Sequence, residues 1–430
     1  MSRAAVIVGG ARTPFVKAWS AFRDLPAQEL GRLAASEAIA RSTVDPADLD
    51  EVIFGNISQP ADATNIARVI ALRANVPRRV PAYTVNRNCA SGIQAVADAA
   101  LHIESGLADL VLAGGVESMS RIPFLYQAAT QNLLMQAMRA KSFSGRMATL
   151  ARLRPRHFKP IVALEVGLTD PVAGLNMGET AEVLAKRYLI TRDEQDRFAL
   201  ESHRRVAQAT ASGRFREEIV PVFMPPRYED AITDDIGFRA EQSLEALARL
   251  KPVFDRRFGT VTAGNSSQIT DGAAALVLAS EERAAAAGYP VLGRIRSWAF
   301  AACDPATMGL GPAYATPLAL RRGGVEFRDV QLVEINEAFA AQVIACEKVF
   351  ASREFAAKEL GWSHPIGNLD RETTNVNGGA IALGHPVGCT GARLILTLCL
   401  EMGHRGKHLG LATLCVGGGQ GAAILIERTA

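Results

Sequence analysis

Short apolar runs rich in β-branched residues alternate along the chain with longer alanine-rich stretches whose apolar positions recur at helical spacing. The first kind predicts strands at residues 4–8, 51–54, 110–113, 273–278, 330–335, 409–414 and 422–426. The second predicts helices at 27–42, 91–105, 177–188, 192–212, 338–350 and 391–402. Strand runs that lack polar alternation belong to sheets covered on both faces, so the pattern predicts an α/β protein.

Between residues 118 and 164 the pattern changes. This segment has no Asp or Glu, yet it carries Arg121, Arg139, Lys141, Arg146, Arg152, Arg154, Arg156 and Lys159. Tyr126, Leu133, Leu134, Ala137 and Met138 recur at helical spacing, which predicts a basic amphipathic helix. The segment reads as the start of an insertion reaching about Lys251, outside the α/β core. It is either a solvated flap or a surface for a polyanionic ligand, an anionic membrane or a partner subunit.

Composition narrows the picture. A chain of 430 residues has room for two domains, or for one large α/β unit with insertions. A net charge of +3 gives no global field of the kind that marks a nucleic-acid binder. No apolar run approaches the roughly 20 residues needed to span a bilayer. The chain start runs directly into a strand pattern without a charged-then-apolar leader, which predicts a cytoplasmic protein. The six cysteines, Cys89, Cys303, Cys346, Cys389, Cys399 and Cys415, are scattered, suggesting neither a zinc ribbon nor a disulfide framework.

Four motifs carry chemistry. Val85-Asn-Arg-Asn-Cys-Ala-Ser-Gly92 places Cys89 between a short extended run and a helix that packs through Ile93, Val96, Ala97 and Ala100. Backbone N–H groups and the helix dipole at such a turn favour thiolate, the geometry of a nucleophile, although a buried structural cysteine fits as well. Asn375-Val-Asn-Gly-Gly-Ala-Ile-Ala-Leu-Gly-His-Pro-Val-Gly-Cys-Thr-Gly391 surrounds His385 with glycine, a site shaped to admit a substrate. A metal at His385 and Cys389 lacks further ligands at sensible spacing. Leu414-Cys-Val-Gly-Gly-Gly-Gln420 sets Cys415 beside exposed N–H groups between two strands, either a flexible turn or an oxyanion-binding loop. Glu334-Ile-Asn-Glu-Ala-Phe339 offers Asn336 as a helix cap or as a polar group aimed into a site.

In this order and spacing the four motifs resemble the thiolase family, over essentially the whole chain. Ala11-Arg-Thr-Pro14, Gly114-Gly-Val-Glu-Ser-Met119 and Gly259-Thr-Val-Thr-Ala-Gly-Asn-Ser-Ser-Gln268 match as well. Residues 85–92 and 309–317, with the basic insertion, are most similar to degradative 3-ketoacyl-CoA thiolases of the trifunctional-complex β-subunit type. Asn176 stands where some biosynthetic relatives carry histidine, and Asn336 where some trifunctional β subunits carry histidine.

The resemblance implies a five-layer αβαβα fold of two similar halves with mixed sheets plus an inserted loop domain. The expected boundaries are 1–118 for the N-terminal half, completed by about 252–280, then 119–251 for the loop domain over the coenzyme A site, and 281–430 for the C-terminal half. It implies CoA-dependent cleavage of 3-ketoacyl-CoA through an acyl-cysteine, with no cofactor beyond coenzyme A as co-substrate. By carry-over, Cys89 is the nucleophile, His385 its activator and Cys415 the acid/base. Asn336 holds a water that forms one oxyanion hole with His385, and the N–H groups of Cys89 and Gly417 form the other. Ser267 touches the pantetheine arm, and Met177 and Phe339 line the acyl pocket. Expected partners are coenzyme A thioesters, a second copy in a homodimer or homotetramer, and a hydratase/dehydrogenase subunit or a membrane surface at the insertion. The other readings are a biosynthetic acetoacetyl-CoA thiolase, a ketoacyl synthase and an inert acyl-CoA or lipid carrier. A synthase carries histidine in place of Cys415, and an inert carrier has no need of Cys89, His385 and Cys415 together.

Overall fold

The computed structural model describes residues 3–428; residues 1–2 and 429–430, at the outer ends of the two expected halves, lie outside it. Its centre is a mixed sheet. One half has the strand order Ala82–Val85, Glu51–Gly55, Leu110–Ser118, Thr270–Ser280, Ala5–Arg12. The other continues as Gly293–Ala302, Gln420–Glu427, Leu409–Val416, Leu332–Ile335. Parallel pairs lie at the outer edges, 51–55 against both neighbours and 332–335 against 409–416, and antiparallel pairs fill the middle. The halves of the sheet meet edge to edge at the pairs Val6–Arg294 and Ile7–Gly293, with Leu292 N donating to Ile7 O at 2.8 Å.

Helices complete five layers. Ala27–Ser42 and Ile66–Arg73 cover the outer face of the first half through Leu30, Ala34, Ala38 and Ile70. Gly311–Gly323 and Ala340–Phe350 cover the outer face of the second through Ala315, Ala319, Val343 and Ile344. Between the halves lie Ser91–Glu104 and Thr390–Arg405, in one apolar cluster with Ile53, Val111 and Leu278 of the first half and Leu414, Ile424 and Ile426 of the second. The α/β pattern of the sequence is thus arranged as αβαβα.

Burial on both sides explains why Ser91–Glu104 is apolar nearly all round: Ala95, Ala99 and Ile103 are buried together with the expected Ile93, Val96, Ala97 and Ala100. Each fully buried isoleucine contributes about 1.5–3 kcal/mol. The two central helices touch at backbone level. A Cβ on Gly92 would sit 2.6 Å from the Ala392 nitrogen, and one on Gly391 would sit 2.4 Å from the Ile93 nitrogen. Only glycine permits that crossing.

The halves are not identical. Where the first has the strand Ala82–Val85, the second has a single parallel bridge, Val333–Thr374. Even so, each of these edges runs into a loop and then into a central helix. One loop carries Cys89 and the other His385.

Residues 119–251 supply none of the described strands of the central sheet. They hold the helices Ala128–Arg139, Phe143–Leu150, Met177–Arg187 and Arg192–Ala211. The amphipathic face of the first differs from the expected one: Thr130, Leu133 and Ala137 are its buried stripe, and Tyr126 and Met138 point outward. Phe124 is 70% and Phe143 80% exposed, among basic side chains. No described helix is long and apolar enough to cross a membrane.

Candidate active site

The candidate residues, far apart in the chain, meet where the central helices begin. Cys89, His385, Cys415, Met177, Ser267 and Phe339 all line one cavity of about 800 Å³, within the range of small-molecule sites. Asn336 and Gly417 stand just behind its surface. Asn336 is not a helix cap: the helix starts four residues later, capped by Phe339. Instead Asn336 is fully buried, its backbone N–H donates to Thr413 O at 3.0 Å, and its Nδ2 lies 3.4 Å from His385 Nε2. The Asn336 Oδ1 atom has no hydrogen-bond partner among the described residues.

The cavity is held by buried polar ties. His385 Nδ1 lies 2.6 Å from Thr390 Oγ1, which in turn lies 3.1 Å from Pro386 O. A hydroxyl has one proton. When it goes to the carbonyl, Nδ1–H must donate to Thr390, which leaves Nε2 as a bare acceptor facing Asn336. The loop carrying His385 is clamped at both ends. Glu337 accepts from Asn375 Nδ2 at 2.9 Å and Ser202 Oγ at 2.6 Å, while Glu117 accepts from Gly388 N at 3.1 Å. Thr390, Glu337 and Glu117 all lie within motifs quoted above, but nothing in their local spacing announced these contacts.

Burial, followed by the positive charge of Arg393, pulls the His385 pKa from 6.5 down to about 3. Arg393 is itself buried and pairs with Glu334 at 2.8 Å. A lowered pKa leaves the imidazole neutral, with one ring nitrogen open to a proton, at every pH above about 3. Acyl transfer to Cys89 is accordingly expected to show no titration centred on 6.5, the ordinary imidazole value. Rapid-quench measurement of cysteine acylation across that region checks this, and a tenfold fall per pH unit below it would mean a charged ring.

The helix dipole does not win at Cys89. Burial pushes its pKa up, against the opposing pull of the Gly417 N–H and its own N–H, both of which donate toward the sulfur. Cys89 therefore rests as a thiol, and any reaction through its sulfur needs a base to take the proton. Burial holds Cys415 well above the ordinary thiol value, and the neighbouring Cys89 adds to this. Its sulfur keeps its proton. The Gly417 N–H, aimed at Cys89, comes from the turn between two strands; Gly418 and Gly419 have φ of 90° and 76°, a reversal open to glycine.

The walls are apolar. Phe339 meets Phe254 edge-on at 6.1 Å and 84°, and the Met177 sulfur lies 3.2 Å from where a Cβ on Gly417 would sit. Met177 opens a helix capped by Asn176, whose Oδ1 accepts from Gly178 N at 3.1 Å while Glu179 accepts from Asn176 N at 2.6 Å. Ser267 is fixed by its N–H to Ala338 O at 2.9 Å. Trp19, Phe238, Phe254, Lys17 and Arg239 also line the cavity; they were not singled out in the sequence because they come from irregular segments or, for Lys17, from a strand of two residues.

Comparison with known proteins agrees with this arrangement. Residues 5–282 match the family model described as thiolase, N-terminal domain, and residues 289–428 the one described as thiolase, C-terminal domain. The chain is 44% identical over 423 residues to proteins named 3-ketoacyl-CoA thiolase from Pectobacterium carotovorum and Yersinia pestis, covering 98% of this chain and 96% of each relative. Among solved structures it superposes on an acetyl-CoA acetyltransferase of Bacillus anthracis with TM-score 0.87 and 40% identity, covering 100% of this chain and 99% of that one. Human mitochondrial 3-ketoacyl-CoA thiolase in complex with CoA gives TM-score 0.85 and 36% identity, covering 100% and 98%. With both family models matched in sequence, full-length relatives and a shared fold, the chain belongs to the thiolase family.

Proposed function

We propose that the protein catalyses the reversible, CoA-dependent cleavage of 3-ketoacyl-CoA into acetyl-CoA and a shortened acyl-CoA in fatty-acid β-oxidation. The observation that carries the reading is the convergence of two cysteines and a neutral histidine on one apolar cavity, with a backbone N–H aimed at the first sulfur.

In the cleavage direction, His385 Nε2 takes the Cys89 proton as the sulfur attacks the C3 ketone. The alkoxide so formed meets the N–H groups of Cys89 and Gly417. It collapses, the C2–C3 bond breaks, and its electrons pass to the thioester as an enolate. The enolate oxygen accepts from the newly protonated Nε2 and from a water held by Asn336. Cys415 gives its proton to C2, releasing acetyl-CoA. Coenzyme A gives its thiol proton to the Cys415 thiolate and attacks the acyl-Cys89 thioester; acyl-CoA departs as the Cys89–acyl bond breaks, and the released Cys89 sulfur takes back its proton from His385 Nε2. Acid–base steps of this kind contribute roughly 10²–10⁴ each. Ser267 is assigned to the pantetheine arm, Met177 and Phe339 to the acyl chain, and no redox group or metal is needed.

We extend the proposal to architecture. Residues 119–251 form the loop domain over the coenzyme A site, between halves 1–118 with 252–280 and 281–430. The enzyme works in the cytoplasm as a homodimer or homotetramer, in keeping with the edge strand Ala82–Val85 that ends the sheet. The exposed aromatic and basic side chains of the insertion dock a hydratase/dehydrogenase subunit or an anionic membrane. Reversing the charge of Arg146, Arg152 and Arg156 is expected to abolish co-purification or vesicle flotation, and unchanged binding of both kinds would reject this surface.

Incubation with acetoacetyl-CoA and free CoA tests the reaction. Acetyl-CoA should form, and mass spectrometry should find an acyl group on Cys89. If neither appears, the thiolase reaction is not this protein's.

A further inference from the structure

We propose that Asn88 is a positioning residue that sets the oxyanion site at Cys89, by tying the carbonyl of Gly417 to the nucleophile loop. The inference rests on the acyl-cysteine reaction above and adds a residue to it. Asn88 Nδ2 donates to Gly417 O at 2.8 Å. This bond crosses from the residue before the nucleophile to the residue whose N–H faces the nucleophile's sulfur. Gly417 has no side chain to fix it, and the two glycines after it add further backbone freedom. The peptide carrying this N–H hangs from the strand end at Val416, which pairs with Gln420, and the Asn88 bond fixes the peptide that follows, so Gly417 is held from both sides; a donor that must reorganise during reaction stabilises little developing charge.

The tie comes with a backbone conformation that few residues adopt. Asn88 has φ of 45°, in the left-handed region, where asparagine is tolerated better than most non-glycine residues. Three local bonds keep it there. Its N–H donates to Asn86 Oδ1 at 3.0 Å, and its carbonyl accepts from Ser91 N at 2.9 Å and Ser91 Oγ at 2.6 Å. An unusual backbone held by its surroundings, immediately before a nucleophile, is the pattern of a site that aims a side chain. Asn88 is also exposed, so core packing does not require it.

The other end of the glycine turn is anchored from the same loop. Arg87 donates through Nη1 to Gln420 Oε1 at 3.0 Å and through Nε to Gln94 Oε1 at 2.6 Å, with its guanidinium 4.2 Å over the Phe300 ring. Consecutive residues before Cys89 therefore grip the turn at Gly417 and at Gln420, and the Cys303 N–H holds the Gly419 carbonyl at 2.7 Å between them.

The test compares Asn88→Gly, which keeps the left-handed backbone but loses the tie, with Asn88→Asp, which keeps the shape but turns a carboxylate on the Gly417 carbonyl. Two rates are read on Cys89: acetylation by acetyl-CoA, which builds an oxyanion, and alkylation by iodoacetamide, which does not. Removing one oxyanion donor outright costs roughly 10²–10³ in rate, and a donor left in place but unaimed should lose part of that, about 10–100-fold. The expected result is that loss in acetylation for both variants, with alkylation within about threefold of the parent. Asn88→Gly acetylating at the parent rate would overturn the proposal, as would alkylation falling in step with acetylation, which would mean a disturbed thiol. A parent protein that alkylates but never acetylates would instead sink the acyl-cysteine reaction beneath it.

Discussion

Cys415→Ala is expected to accept an acetyl group from acetyl-CoA on Cys89 while cleaving acetoacetyl-CoA roughly 10²–10⁴-fold more slowly than the parent. The split follows from what each sulfur faces. Cys89 has two N–H donors and needs only a neutral imidazole to take its proton. Cys415 is buried, and its environment holds the proton on sulfur, so it can protonate a carbanion but is poorly placed to attack a carbonyl. On the proposed mechanism the same sulfur, in the reverse direction, removes a proton from the acetyl-CoA methyl group, a demanding step that develops only once the enolate oxygen is stabilised. The variant should therefore also lose deuterium uptake into that methyl group in heavy water, followed by mass spectrometry. Retained uptake would show that another group is the base.

The second large effect is expected on stability. Arg12 is fully buried; its Nε donates to Glu218 at 2.8 Å, and Nη1 and Nη2 donate to the two Asp235 oxygens at 2.6 and 2.8 Å. Although burial works against its charge, the two carboxylates raise the pKa above the usual arginine value. Arg12→Met leaves both acids buried without their cation, a change that costs about 3–5 kcal/mol. The loss should appear as a large fall in the urea midpoint, and Asp235→Asn in the same chain should restore part of it by removing one stranded charge. A single variant within about 1 kcal/mol of the parent would mean that the carboxylates find other partners. Asp235 also accepts from Phe15 N at 2.7 Å, and Ile236 N donates to Phe15 O at 2.8 Å. Ile236 lines the cavity, so this buried ion group also holds one wall of the active site.

Local pattern reached a good part of this molecule and stopped where side chains meet across long stretches of sequence. Apolar runs located the seven strands they marked, and the helices at 27–42 and 91–104 were plain from periodicity. The strand Gly293–Ala302 was missed because Arg294, Arg296 and Ser297 interrupt its hydrophobicity. Its signal was the alternation, with Gly293, Ile295, Ser297 and Ala299 turned inward. The helix Gly311–Gly323 was hidden by Pro312 and Pro317 within a motif that resembles a loop. At the site, His385 and Cys415 were legible because glycine lies around them, and Cys89 because it stands between an extended run and a helix. Thr390 was not, since its role exists only when the ring of His385 turns toward it. The resting state of Cys89 was misjudged for a related reason: a helix N-terminus is visible in sequence, but the depth at which it is buried is not.

The Gly92–Gly391 contact has a consequence for how this catalyst could have arisen and how it can fail. Each half brings its own helix to that crossing and, just upstream, its own share of the reactive groups. Neither half alone owns a working centre. A methyl group at either glycine would wedge the pair apart, parting nucleophile from base while most of each half's architecture survived. On the proposed mechanism chemistry belongs to the seam, and activity reports whether that helix crossing is closed.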